Sequence, residues 1–297
     1  MLDNFSDDIM VLPSGIKLRV RTAGDGPPVL LLHGYPQTHL CWDKVAPKLV
    51  EAGFRVILSD LRGYGDSDKP KSKSDHSTYS KRAMGADQYE LMQMLGYEKF
   101  AVAGHDRGAR VAHRMARDYP DHISAVSVLD IVPTEYMYEN TERELATGYY
   151  HWFFLIQPAP YPEKMIGHDP DYYLRSKLSG WSKGNQTAFD EEVVKDYVRC
   201  FSDPLCIHAT CEDYRAGASI DLEHDSADRA ARIQMPVQAL WGQKGLVDKL
   251  YNVLDIWRGY AEHVEGKGIN CGHFLPEEQP QETAENLIRF FKMHHGI

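Results

Sequence analysis

Long apolar runs are missing from this chain. The stretch Trp152 to Ile156 is typical of its purely apolar segments, far short of the ~20 residues that a membrane-spanning helix needs. Mean hydropathy is −0.46, so no membrane helix is expected. The first ten residues, MLDNFSDDIM, are acidic where a secretory signal is basic and then apolar, and the expectation is a cytoplasmic protein. Positive charge is in deficit, with 33 Lys and Arg against 43 Asp and Glu, a net of −10. That balance argues against nucleic acid as a partner, because a phosphate backbone selects basic surfaces. Any anionic ligand must find a local cationic pocket. Cysteine is sparse: Cys41, Cys200, Cys206, Cys211 and Cys271 are odd in number, scattered, and form no C-x-x-C. Neither a disulfide framework nor a zinc site follows, and buried free thiols are expected. His33, His105, His224 and Glu223 show no metal-ligand spacing, so no metal and no cofactor is expected.

What is present is ordinary globular composition, 43% hydrophobic and 26% charged over 297 residues, enough for one large α/β domain or two units. From Ile16 to about residue 130, short apolar runs alternate with helical patterns, the mark of βαβ units in a mostly parallel sheet. Strands are predicted at Val29 to Leu32, Arg55 to Ser59, Phe100 to Ala103 and Ala125 to Leu129. Helices are predicted around Trp42 to Ala52 and Tyr79 to Leu95, the second presenting Met84, Gln88, Leu91 and Leu95 on one face. After Pro133 the sequence turns aromatic-rich and helical. It reads as an inserted cap over 134–225, with the α/β core formed by 1–133 and 226–297. The α/β pattern resumes with a strand at Pro236 to Trp241, a helix near Asp248 to Tyr260, and a closing helix from Glu277 to Phe291.

The chemistry concentrates after the third of these strands. Phe100 to Ala103 runs into Gly104-His105-Asp106-Arg107-Gly108, and Val111, Ala112, Met115, Ala116 and Tyr119 then mark a helix stopped by Pro120. Strand, Gly-x-nucleophile-x-Gly, helix is a reversal so tight that glycines must flank the central residue, which is thrust out above the sheet. Here that residue is Asp106. An Asp near a helix start is also a common cap, and only the rest of the chain separates the two readings. Val29 to Leu32 ends in His33-Gly34-Tyr35-Pro36, where such a fold supplies a backbone oxyanion donor. Asp60-x-Arg62-Gly63-x-Gly65-x-Ser67 follows the next strand, and Gly272-His273 lies near the carboxyl end.

Taken in order, these motifs resemble the α/β-hydrolase superfamily over nearly the whole chain. More closely, the run Gly104 to Arg110, the segment His151 to Pro160, and Asp213-Tyr214-Arg215-Ala216-Gly217 are similar to the fluoroacetate dehalogenases. The resemblance implies an α/β-hydrolase fold with a helical cap, a homodimer, and a small anionic haloacid as substrate. A carboxylate nucleophile is charged at neutral pH and attacks without a base, but suits saturated carbon bearing a leaving group better than ordinary esters. The resulting ester of Asp106 needs water and a general base, for which His273 is the candidate. Many relatives place the orienting acid in W-G-x-x-D. Here Trp241-Gly242-Gln243-Lys244 is followed by Gly245, so the acid is expected at Asp130, as in the fluoroacetate enzymes, with Asp248 as a fallback. The backbone N–H groups of Tyr35 and Arg107 are the expected oxyanion donors; the family usually has Phe where Tyr35 stands.

Arg107 and Arg110 are three apart at a helix start, where each cation opposes the helix dipole by ~0.3–1 kcal/mol unless an anion joins them. They are the expected clamp for a substrate carboxylate. His151, Trp152 and Tyr214 offer an imidazole, an indole N–H and a phenol O–H, and the resemblance makes them the halide pocket. Two rival functions share the scaffold. An epoxide hydrolase would use the same Asp and His with two acidic tyrosines, for which Tyr149, Tyr150 and Tyr214 are available. A catalytically silent ligand receptor would need none of this chemistry.

Overall fold

The computed structural model describes residues 2–295. Its eight strands form one sheet in the order β1-β2-β4-β3-β5-β6-β7-β8. They are β1 (Asp8–Val11), β2 (Lys17–Ala23), β3 (Pro28–Leu32), β4 (Arg55–Ser59), β5 (Phe100–His105), β6 (Ile123–Leu129), β7 (Val237–Gly242) and β8 (Val264–Ile269). β1 pairs with β2 and β2 with β4 antiparallel at one edge, and the pairings from β4 through β8 are parallel. Parallel strands are covered by helices on both faces, so their sequences are continuously apolar. Accordingly, Val29, Leu30, Leu31 and Leu32 of β3 and all of β5 are buried.

The predicted strands and the mostly parallel sheet are therefore present. β1, β2 and β8 were not foreseen. β1 and β8 are edge strands of the charged, half-exposed kind that blunts unwanted pairing: β1 exposes Asp8, Ile9 and Val11, and β8 carries Glu265 and Lys267. β2 joins β1 to β4 and interleaves Lys17, Arg19 and Arg21 with inward Leu18 and Val20.

Three core helices matter for the site. α1 (Ala46–Glu51) is shorter than predicted, because a 3-10 turn at His39–Trp42 precedes it. α2 (Lys81–Met94) is capped by Ser80, whose hydroxyl accepts from the Ala83 N–H, and buries Met84, Gln88 and Leu91 as expected. α3 (Arg107–Asp118) buries its whole length from Arg107 to Ala116, since it packs against both the sheet and α2. The helix predicted near 248–260 is two, Leu246–Leu250 and Val253–Arg258, interrupted where Asn252 caps the second. The closing helix begins at Pro280.

Between β6 and β7 the described chain is helical from Thr134 to Ala227, with no strand. This is the stretch read as a cap over 134–225. Its helices Pro204–Gly217 and Pro170–Trp181 bring Tyr214 and Trp181 within ring contact of Tyr35, which follows β3 at its carboxyl end. The roof of the site thus comes from the insertion and its floor from the carboxyl ends of β3, β5 and β6, where open α/β sheets place ligands.

Tight backbone approach fixes the floor. A methyl group on Gly104 would lie 2.3 Å from the Gly108 carbonyl oxygen, and one on Gly108 would lie 2.4 Å from the His33 oxygen. Neither neighbour is a flexible side chain. Gly104→Ala is expected to cost at least the ~1–3 kcal/mol of an overpacked core. Gly180→Ala, on an exposed helical position with nothing within 4 Å, is expected to gain about 0.5–1 kcal/mol. Thermal denaturation of both variants checks the contrast, and a well-tolerated Gly104→Ala would contradict the packing described.

Candidate active site

Asp106 occupies the turn between β5 and α3 at φ 47° and ψ −112°, a conformation that costs of order 1–3 kcal/mol for a residue with a side chain. Although it stands at the N-cap position, its carboxylate makes no capping bond to the helix. Instead Oδ2 accepts from the Tyr35 N–H at 3.0 Å. The simple capping role is thereby excluded by geometry. Asp106 is 6% exposed. Burial alone would raise its pKa, but His273, Arg107 and Arg110 outweigh burial and hold the carboxyl below the ordinary range. Oδ1 makes no hydrogen bond among the described residues.

The loop that carries Tyr35 is itself held. His33 Nε2 accepts from the Leu61 N–H at 3.0 Å, and Asp60 Oδ1 accepts from both the His39 N–H and the His39 ring at 2.8 Å. The Asp60-to-Ser67 motif is scaffolding: Asp60 Oδ2 accepts from the Asp66 N–H, and the Ser67 hydroxyl donates to the Asp60 carbonyl.

His273 follows β8 and reaches the same floor. Its Nδ1 lies 2.6 Å from Asp130 Oδ2, while Asp130 Oδ1 accepts from the Gly242 N–H at 2.9 Å. Asp130, just after β6, also sits at a positive φ of 54°. Asp248, the fallback acid, is turned to the surface and accepts from the Trp241 indole N–H at 2.6 Å. Burial pulls the His273 pKa down, but the Asp130 hydrogen bond and charge, with Asp106 behind them, overcome this and leave it above its usual value. His105 lies behind, its Nε2 2.8 Å from the His273 carbonyl. Burial and the neighbouring His273 press the His105 pKa down to about 3, so it is a neutral prop.

The two arginines are treated differently. Arg107 is bound through Nε and Nη2 to Asp213, at 2.9 Å to Oδ2 and 2.7 Å to Oδ1, with a third bond from Nη2 to the Asp213 carbonyl. Asp213 also accepts from Lys81 and from the Tyr64 hydroxyl. Arg107 is thus already paired, and its guanidinium lies 4.1 Å from the Tyr214 ring centroid. Arg110 has no carboxylate partner among the described residues. Its donors meet the Val132 carbonyl, the Thr134 hydroxyl and the Met137 sulfur, its Nε is buried without a partner, and its guanidinium lies 4.6 Å from the Trp152 ring centroid. Burial and the like charge of Arg107 lower its pKa to about 10. Of the predicted pair, Arg110 is the cation without a bonded carboxylate, and the charge of Asp106 acts on it only through space.

A small cavity is lined by Asp106, Arg110, Asp130, Tyr149, His151, Trp152, Trp181 and His273. About 10 Å³ is open to the centre of a water-sized sphere, roughly the space for one water. The cavity joins Asp106, His273, Asp130, one of the two arginines and two of the three residues expected as halide donors. Tyr214 packs beside it, 5.5 Å from His151 and 6.1 Å from Trp152 between ring centroids. The Tyr214 hydroxyl and His151 Nδ1 are buried with no hydrogen-bond partner. Burial, with Lys177 nearby, keeps the His151 pKa well below its ordinary value. Of the tyrosines open to an epoxide mechanism, Tyr149 lines this cavity, whereas Tyr150 is half exposed in an outer vestibule.

Three contributors were not singled out as site residues from the sequence: Asp213 as the partner of Arg107, and Lys177 and Trp181 on helix Pro170–Trp181. A weak signal existed for the latter two, since Leu174, Lys177, Leu178 and Trp181 follow the spacing of a single helix face, and a lysine there interrupts an apolar stripe. Among the described residues no cluster of His, Cys, Asp and Glu is arranged to hold a metal ion. All five cysteines are buried and unpaired, as expected, and no helix of the described chain is long and apolar enough to cross a membrane.

A mostly parallel sheet with a buried carboxylate at the strained turn after β5, and an Asp-His pair arriving from β6 and β8, defines a hydrolase of the alpha/beta hydrolase fold. The chain belongs to that family, which it matches over residues 27–280. It is 45% identical to a fluoroacetate dehalogenase from Burkholderia sp., over 90% of this chain and 88% of that protein. It is also 36% identical to a soluble epoxide hydrolase from Corynebacterium sp. (strain C12), over 94% of each. Among solved structures, a provisionally assigned alpha/beta hydrolase from Nostoc sp. PCC 7120 superimposes with a TM-score of 0.96 at 52% identity, over 98% of this chain and 99% of that one.

The Asp213 cluster is a stability determinant in its own right. Asp213→Asn would leave Arg107 buried with no full counter-charge, while Lys81 keeps Asp221 at 3.5 Å, and breaking a buried pair in this way costs about 3–5 kcal/mol. Chemical denaturation is expected to show a loss of that size. A loss below about 1 kcal/mol, the range of exposed pairs, would contradict the pairing.

Proposed function

We propose that the protein hydrolyses a short haloacetate, fluoroacetate or chloroacetate, to glycolate and halide through an ester of Asp106. The observation that carries this reading is the unpaired Arg110 guanidinium in the same cavity as the strained Asp106 carboxylate. A buried cation without an anion is costly, and a substrate carboxylate would supply the missing charge as a planar partner. The 45% identical fluoroacetate dehalogenase supports the same substrate class. So small an inner cavity disfavours long or branched acids.

The proposed steps follow from the geometry. Asp106 Oδ2 is engaged by the Tyr35 N–H, so Oδ1 is the attacking oxygen. It forms a bond to the α carbon while the carbon–halogen bond breaks, and the halide leaves with the bonding pair. Charge then develops on the halide, where preorganised donors act most strongly; His151, Trp152 and Tyr214 are the proposed donors. Arg110 holds the carboxylate, and Arg107, already bound to Asp213, contributes its field and a backbone N–H. In the second half His273 takes a proton from water, and the oxygen adds to the Asp106 carboxyl carbon. Oδ2 becomes the oxyanion, with the Tyr35 and Arg107 N–H groups as donors. Its collapse expels glycolate, whose alkoxide oxygen recovers the proton from His273, and Asp106, left as the carboxylic acid, gives up its proton to solvent, the one proton released with each halide. Asp130 keeps the imidazole oriented and stabilises its charged form.

A second reading has its own support: the 36% identical epoxide hydrolase, with Tyr149 in the cavity and the Tyr214 hydroxyl unbonded beside it. A neutral epoxide, however, would give Arg110 no bonded carboxylate. Incubation with fluoroacetate, chloroacetate and styrene oxide separates the readings through fluoride, chloride, glycolate and diol. Halide release with glycolate is expected. Diol as the main product would favour the epoxide reading, and saturable binding without turnover would favour a receptor.

Two further outcomes test the assignment of roles. His273→Ala is expected to react once and accumulate the ester, seen as a mass increase of the intact protein, while Asp106→Asn gains no mass. Arg110→Ala should lower kcat/KM for chloroacetate by roughly a hundredfold or more, the scale of removing one partner of a buried charge pair. An unchanged kcat/KM would remove the clamp.

The pH dependence has a fixed sign. Asp106 is held below its usual pKa and stays charged throughout the mildly acidic range, whereas His273 is raised above 6.5 and becomes protonated there. Alkylation should therefore persist at about pH 5.5 while hydrolysis of the ester slows. Quench-flow mass analysis is expected to find more ester at pH 5.5 than at pH 8. The opposite order would contradict His273 as the base.

A further inference from the structure

The vestibule outside the Asp106 cavity contains a cation that the proposed steps do not use. Lys177, on helix Pro170–Trp181, is 4% exposed and pairs with no carboxylate among the described residues. Its Nζ donates to the Tyr150 hydroxyl and stands 4.0 Å from the Tyr150 ring centroid, 4.6 Å from that of Tyr173 and 5.8 Å from that of Trp181. An aromatic cage returns less than an ion gives up in leaving water. Burial accordingly pulls the ammonium down to about 8. Like Arg110, Lys177 is an under-compensated charge.

Its position gives that charge a direction. The vestibule has a volume of about 520 Å³ and is lined by Lys177 and Lys183 and by no Asp or Glu, in a chain whose net charge is −10. Tyr149, Trp181 and His273 line both the vestibule and the inner cavity, so the two spaces adjoin. An anion approaching through this opening meets Lys177 on the outer side of that shared wall and Arg110 on the inner side.

We propose that Lys177 is a docking residue for the carboxylate of an approaching short acid, which it holds in the vestibule before transfer to Arg110. The proposal rests on the haloacetate reading for the identity of the acid, but not for the anion site itself. Lys177 touches no reacting atom in this scheme. It sets access, and so favours anionic over neutral substrates.

Iodide quenching of tryptophan fluorescence tests the site without turnover. Trp42, Trp152 and Trp257 are buried, and Trp241 is bonded to the carboxylate of Asp248, which repels iodide, so quenching should report mainly Trp181 beside Lys177. Lys177→Met is expected to lower the iodide quenching constant about twofold or more, with acrylamide quenching unchanged and Lys177→Arg close to wild type. In steady-state kinetics the KM for chloroacetate should rise about tenfold in Lys177→Met, with a much smaller change in kcat, and Lys177→Arg should restore it. Should Lys177→Met fail to fold, Lys177→Gln is measured in its place. Equal iodide quenching in wild type and the neutral variant would overturn the proposal. So would a parallel change in acrylamide quenching, which marks a packing role, or an unchanged KM. If the wild type releases no halide from any haloacetate, the functional reading falls, and the iodide comparison alone still decides whether Lys177 is an anion site.

Discussion

The structure depends on keeping one carboxylate charged, buried and uncommitted. Asp106 stands at the start of a helix whose N–H groups would readily accept it as a cap, and the turn denies it that outcome by forcing a positive φ. The close contacts at Gly34, Gly104 and Gly108 follow from this demand, since a methyl group at any of the three would collide with Asp106 itself or with the backbone around it. The strain is supported by a sheet whose central strands are wholly buried and by a helix with scarcely an exposed residue. Local energy is given up at one residue and offset by packing across the core.

Around that carboxylate, three buried cations are handled in three ways. Arg107 is neutralised within the fold by Asp213, Arg110 is surrounded by neutral acceptors and an indole face, and Lys177 is caged by aromatic rings. The first stabilises the junction between core and insertion. The second and third leave charge unbalanced in spaces where a small anion could enter. The same residue type three positions apart on one helix thus does two kinds of work, and the difference lies in the partner contributed by helix Pro204–Gly217. His151, His105 and His273 divide similarly. Burial keeps the first two neutral, while Asp130 makes the third a stronger base than an ordinary imidazole.

Much of the site was legible in the sequence because its demands are local. The glycine-flanked turn and the His-Gly-x-Pro loop each constrain a few consecutive residues, and from these the placement of Asp106 could be reasoned, whereas the choice of Asp130 over Asp248 rested on the family resemblance, against which the position at Gly245 is empty. Strands β3 to β7 were legible for a related reason, since burial on both faces leaves an apolar run. β1, β2 and β8 were not, because edge or charge-interleaved strands carry too little apolar signal. Nor was the division between Arg107 and Arg110, which depends on Asp213 more than a hundred residues away. Lys177 was hidden for a further reason. A lysine within an apolar helical stripe usually signifies a stem lying along the core with its head in water, and only the three-dimensional cage shows otherwise.

The account stands or falls on the oxygen that reaches carbon first. With enzyme in excess over chloroacetate in ¹⁸O-labelled water, a single turnover through the Asp106 ester should yield glycolate whose new hydroxyl is unlabelled, and leave the heavy isotope in the Asp106 carboxyl group. Labelled hydroxyl in that first round of glycolate, with unlabelled Asp106, would mean that water attacks the substrate directly, and the covalent scheme would be wrong.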